Sequence, residues 1–122
     1  MSDENQAALE SAEREISISI ETAKSMVEKK NQMDALIKDK NFESLFTTGY
    51  FQDEPTRLVS LLADAEWQTE EKQQSLLDDM RAISSLRQYI MSIRARGNQM
   101  ERQIAASESQ LEEMREEQEE GE

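Results

Sequence analysis

The chain has 122 residues, 27 acidic against 14 basic side chains, a net charge of −13, and neither cysteine nor histidine. Without Cys there is no disulfide and no thiolate metal site, and without His the commonest general base and metal ligand are missing. The negative charge opposes contact with DNA, RNA or anionic membranes, and no apolar run of about 18 residues is present to span a bilayer.

Hydrophobic residues make up 36% and charged residues 34% of the chain, too lean for a compact ball but suited to helices that bury only a seam. The start, Met1-Ser2-Asp3-Glu4-Asn5-Gln6, has no basic or apolar stretch, so a cytoplasmic protein without a secretory leader is expected.

Residues 1–40 form the first segment and read as one helix from about Asp3. Leu9, Ile16, Ala23, Lys30 and Ile37 take heptad position a, and Ala12, Ser19, Met26 and Met33 take d. Ile20 and Val27 widen this stripe. Ile16-Ser17-Ile18-Ser19-Ile20 alternates like a strand, but breaker-free sequence on both sides favours helix.

Residues 41–68 form a turn region. Asn41 is a candidate cap for a short helix from Phe42 to about Thr48, with Gly49 as a left-handed terminator. Phe42, Leu45 and Phe46 would share its face, and Tyr50 and Phe51 would sit in the bend. Asp53 is a second candidate cap, Pro55 falls in the first turn that follows, and Leu58, Val59, Leu61 and Leu62 give that second helix a broad apolar face. Trp67 lies in the connector.

Residues 69–118 form the last helix, beginning at Thr69-Glu70-Glu71. Leu76, Leu77 and Met80 open its stripe. Ile83, Ile90, Gly97, Ile104 and Leu111 then take a, and Leu86, Ile93, Met100, Ser107 and Met114 take d. Two steps of three, Met80 to Ile83 to Leu86, mark a stammer. Gly97 is either a hole in the seam or a place where another backbone comes close. At about 1.5 Å per residue this helix is roughly 75 Å long and the first roughly 57 Å, so the last should overhang past Ser107. Eight Glu lie between Glu108 and Glu122; acid at a helix C-terminus opposes the macrodipole, so fraying is expected past Met114, with 119–122 a disordered acidic end.

The fold class read from this pattern is all-α: an elongated antiparallel helical hairpin or coiled coil with two short helices at the turn. The seam is expected to serve self-association, with a homodimer the expected state, which is compatible with a hairpin packing on itself. The protein-binding and oligomerisation residues it nominates are Phe46, Tyr50, Phe51, Leu58, Leu62, Ile83, Leu86, Ile90, Ile93, Met100, Ile104, Leu111 and Met114. The seven Met and the aromatic residues Trp67 and Tyr89 read mainly as packing. The acidic pairs Asp78-Asp79, Glu112-Glu113 and Glu116-Glu117 read as solvated helix faces, not metal or acid–base sites. Arg81, Arg87, Arg94 and Arg96 are expected to pair with acids of the first helix. No catalytic residue, cofactor or metal site is nominated, and an enzyme is not expected.

The pattern Asn41-x-x-x-Leu45-x-x-x-Gly49-Tyr50-Phe51-x-x-Glu54-x-x-Arg57-Leu58-Val59-x-Leu61-Leu62-Ala63-Asp64, continued by Asp79-Met80-Arg81-Ala82-Ile83-Ser84-Ser85-Leu86 and Tyr89, resembles small acidic helical proteins of tailed bacteriophages. The resemblance covers less than half of the chain. Pro55 stands where such relatives often carry Ala. Genes for such proteins lie in the virion-assembly region, near those for portal and capsid. The resemblance implies that genomic setting. With the heptads and the lack of a catalytic constellation, the expectation is a non-enzymatic assembly or structural accessory protein in the host cytoplasm or the virion, acting through coiled-coil self-association and protein binding, with capsid or portal proteins as partners. The net charge argues against direct binding to nucleic acid or membrane. The alternative is an acidic inhibitor that binds a basic nucleic-acid-binding protein by mimicking nucleic acid through Glu108 to Glu122.

Overall fold

The structure, a computed structural model, describes residues 2–121. The elements are α1 (Ser2–Lys38), α2 (Lys40–Phe42), a π-helical segment (Glu43–Asp53), α3 (Glu54–Leu62), a 3₁₀ turn (Ala65–Trp67) and α4 (Glu70–Glu120). The chain is an all-α helical hairpin with short helices at the turn, and there is no strand among the described residues. Two compact units share the long helices: Met1–Asn31 with Ala95–Glu122, and Gln32–Arg94.

In the first unit α1 and α4 run antiparallel. The α4 side of the seam follows the heptads: Gly97 and Leu111 are buried, and Met100, Ile104, Ser107 and Met114 are half-buried. On α1, Ile20 and Ala23 are buried, while Ser19, expected at d, is exposed. The helix is rotated so that isoleucine rather than serine enters the interface, because only the apolar side chain gains from leaving water. Lys30 lies against Gly97, and its Nζ donates to Glu101 Oε1 at 2.8 Å.

The expected overhang past Ser107 is not present. Leu111 is buried within this unit, and Met114 and Gln118 line a cavity of about 610 Å³ together with Asn5, Gln6 and Leu9. Nor does the helix end near Met114: it continues through Glu120, held by this packing despite the unfavourable charges at its C-terminus. Glu122, the last residue of the expected disordered end, lies outside the described residues.

The second unit contains the turn. Asp39, not Asn41, caps the helix after α1, its Oδ1 accepting from the backbone N–H of Asn41 at 2.9 Å and of Phe42 at 3.0 Å. Helix then continues to Leu62 without the expected break. Gly49 is not left-handed and Asp53 is helical without a capping bond. Tyr50 and Phe51 therefore lie inside the π segment, not in a bend.

Pro55 supplies a physical reason for this winding. In an α-helix its ring would collide with the carbonyl four residues back, and it has no N–H to donate. Five-residue bonding just before it, as in Glu54 N–H to Gly49 O, moves the backbone out of that register. Pro55 itself sits in the first turn of α3, as expected.

The core of this unit is Leu58, Leu76 and Ile83, surrounded by Tyr50, Phe51, Leu61, Leu62, Trp67 and Met80. The start of α4 is thus covered by the segment from Tyr50 to Trp67. Leu58 is 0% exposed, and its full burial contributes about 1.5–3 kcal/mol.

Glutamine side chains close the reversal. Gln68 Nε2 donates to Leu62 O and Asp64 O at 2.9 and 2.7 Å, and Gln73 Nε2 donates to Trp67 O at 2.7 Å. They supply donors to carbonyls that the end of α3 and the 3₁₀ turn leave without helical partners. Thr69 begins the last helix by accepting from Lys72 N–H at 3.3 Å.

Candidate protein-binding surface

The structure divides the nominated residues into two groups. Leu58, Ile83 and Leu111 are buried in the chain's own interior, and Tyr50, Phe51 and Leu62 pack on the core of the second unit. Ile93, Met100, Ile104 and Met114 are half-buried on the α4 seam. These positions hold the hairpin together. Phe46, Leu86 and Ile90 instead border an open space.

That space is a groove of about 240 Å³ in the second unit, lined by Met33 and Leu36 of α1, Phe42 and Phe46 after the Asp39 cap, and Leu86, Tyr89 and Ile90 of α4. Every lining side chain is apolar or aromatic. Asp39 turns the chain so that Phe42 and Phe46 stand beside the two long helices. The Phe42 and Phe46 rings stack with centroids 5.0 Å apart, and Phe46 meets Tyr50 edge-on at 6.2 Å. Such pairs add rigidity and roughly 0.5–1.5 kcal/mol beyond burial. Leu36, Phe46 and Tyr89 remain exposed around the groove.

Leu45 does not line the groove with Phe42 and Phe46, with which helical spacing predicts a shared face; it is 67% exposed. The wider π winding separates positions that an α-helix would align. The sequence pattern does not single out Met33, Leu36, Phe42 and Tyr89 as binding residues. Leu36 and Tyr89 carry the available signal, because both are large apolar-bodied residues left outside the heptad seams.

The charged side chains of the second unit pair within and between helices. Arg94 Nε donates to Asp34 Oδ1 at 2.8 Å, joining α4 to α1 as expected, whereas Arg81 pairs with Asp78 on its own helix at 3.7 Å. Arg57 donates to both carboxylate oxygens of Glu54, its Nε lying 3.2 Å from Oε2. These hydrogen bonds, reinforced by the guanidinium charge, hold the Glu54 carboxyl below its usual range and raise Arg57.

Among the described residues there is no group of three or more acidic, histidine or cysteine side chains placed to hold a metal, and no helix long and apolar enough to cross a membrane. No known family model, curated protein or solved structure matches this chain.

Proposed function

We propose that the chain is a non-enzymatic protein-binding component of phage particle assembly or structure, acting in the host cytoplasm or within the virion. The observation that carries the binding part is the open apolar groove with Leu36, Phe46 and Tyr89 exposed around it. Exposed, grouped apolar side chains next to charged surface are the usual mark of a protein interface. The phage setting rests on the sequence pattern from Asn41 to Tyr89, which contains Leu86 and Tyr89 of the groove, while Phe42 and Phe46 stand at its unspecified positions.

The test is capture from the phage-infected host with the tagged full chain and with Phe46→Glu and Tyr89→Glu variants. Capsid or portal proteins retained by the parent and lost by both variants would support the reading. Their retention by folded variants would remove the groove from it.

A second reading is favoured by the acidic end of the first unit. Seven Glu from Glu108 to Glu120 lie on the α4 segment that flanks the N-terminal part of α1, itself bearing Asp3, Glu4 and Glu10. Such a surface suits a basic nucleic-acid-binding protein. Capture of a nuclease or polymerase in a salt-sensitive manner, lost on Glu→Gln replacement, would select this reading over the first.

A further inference from the structure

We propose that Pro55 positions the groove from a distance, by holding the Glu43–Asp53 segment in the one winding that lays its aromatic side chains along α4; the inference rests on reading that groove as a protein-binding surface. Pro55 itself does not line the groove.

Four aromatic residues here form an unbroken ladder. Phe42 stacks on Phe46, Phe46 meets Tyr50 edge-on, and the Tyr50 and Phe51 ring centroids are 5.5 Å apart. The ladder follows α4 in the opposite chain direction. Phe42 and Phe46 share the groove with Leu86, Tyr89 and Ile90, whereas Tyr50 shares a smaller cavity with Asp79, Ala82 and Ile83. Tyr50 and Phe51 also pack on the core of Leu58, Leu76 and Ile83. One end of the ladder is thus a groove wall, and the other is anchored in the interior.

An α-helix does not serve both ends. Phe42 and Phe51 are nine residues apart, which at about 3.6 residues per turn is about two and a half turns and sends them to opposite sides. Five-residue bonding widens the turn to about 4.4 residues, so the same separation is about two turns and both rings return to one side. Two residues keep this winding. Gly49 accepts from Glu54 N–H through its carbonyl, and it has no Cβ to stand 2.9 Å from Ser44 O. Pro55 removes the four-residue alternative, because it has no N–H to donate to the Phe51 carbonyl.

With Pro55→Ala the segment is free to tighten, and burial decides which rings stay. Tyr50 and Phe51 rest on the core around the fully buried Leu58, while Phe42 and Phe46 border open space. Leaving the core costs more than leaving the groove, so the groove wall is the part that turns away.

The experiment is fluorine NMR on the full chain labelled with 4-fluorophenylalanine. The three phenylalanines all lie on the ladder, so three resonances report on it, each assigned by a Phe→Leu variant. In Pro55→Ala the Phe42 and Phe46 resonances should shift and that of Phe51 should stay, with circular dichroism still helical. In the parent, the Glu54 amide nitrogen should couple through its hydrogen bond to the Gly49 carbonyl carbon. Coupling to Tyr50 instead would overturn the proposal. So would a folded Pro55→Ala chain in which Phe42 and Phe46 are unmoved, or a Pro55→Ala chain that unfolds, since the expected tightening leaves the core in place. Pro55→Ala should also lose the proteins that Phe46→Glu loses in capture from the infected host. Rings that move while capture is unchanged would uphold the positioning by Pro55 and remove the groove from the proposed function.

Discussion

A methyl group built on Gly97 would lie 2.2 Å from Lys30 Cβ, so α1 and α4 meet here with no room for any other side chain. The lysine stem lies across the glycine and its ammonium continues to Glu101. A polar residue and a glycine at heptad a positions thus make one close contact: the stem supplies apolar surface and the head reaches solvent.

Gly97→Ala should therefore destabilise the protein by about 1–3 kcal/mol through overpacking, although the same change in an exposed helix would gain about 1 kcal/mol. Lys30→Ala leaves Cβ in place and should rescue little; Lys30→Gly should relieve the clash. Urea unfolding of the two double variants separates these outcomes. Equal rescue by both would show that the outer lysine carbons, which lie 2.8 Å from the built methyl, set the cost.

Gly49 makes a similar prediction for a different reason. An added Cβ would stand 2.9 Å from Ser44 O, a backbone atom of the π segment itself that cannot swing aside. Gly49→Ala should cost about 1–3 kcal/mol, and less in a Pro55→Ala background, where the segment is free to return to four-residue bonding. Denaturation midpoints of the single and double variants measure this coupling. Strict additivity would separate Pro55 from the π winding.

The heptads reveal the long helices and the inward face of α4 because a repeat of three and four survives any detail of packing. They do not determine which residue of an adjacent pair enters the seam, so Ser19 and Ile20 are exchanged. The turn is harder to read. Gly49 and Pro55 are ordinary punctuation in most sequences, but here one tolerates and the other provokes a continuous π segment, through contacts five residues apart that local preference rules do not contain. The overhang expected past Ser107 is absent for a related reason. Leu76, Met80 and Ile83 are claimed by the segment from Tyr50 to Trp67, leaving the N-terminal part of α1 for Leu111 and Met114. The groove follows from that register and is visible in sequence only as Leu36 and Tyr89 outside the stripes.

Glu54 links the turn to pH. Its hydrogen bonds from Arg57 hold the folded-state carboxyl below the ordinary value of 4.5. A carboxyl with a depressed folded value stabilises the fold above its unfolded value and loses that contribution as pH falls through the folded one. The stability difference between the parent and Glu54→Gln should accordingly be present at neutral pH and shrink below pH 4.5. Urea midpoints measured in acid series test the sign, and a difference that grows on acidification would contradict it.

The acidic tail combines charge with packing, and a truncation cannot separate the two. Removal of residues after Ser107 deletes the Glu surface but also Leu111 and Met114, which pack in the first unit. Losing even about 2 kcal/mol of apolar burial should raise amide exchange near Leu9 and Ile16 roughly thirtyfold. Replacing Glu112, Glu113, Glu116, Glu117, Glu119 and Glu120 by Gln removes the charge and keeps the packing. That variant should retain protection near Leu9, and its helix end should be slightly more stable, since each acid removed from the last turn (Glu117, Glu119 and Glu120) relieves about 0.3–1 kcal/mol of unfavourable dipole interaction. Hydrogen exchange followed by mass spectrometry reads both. Unchanged exchange near Leu9 in the truncated chain would mean that Leu111 and Met114 do not support α1, and the tail would then be a charged surface alone.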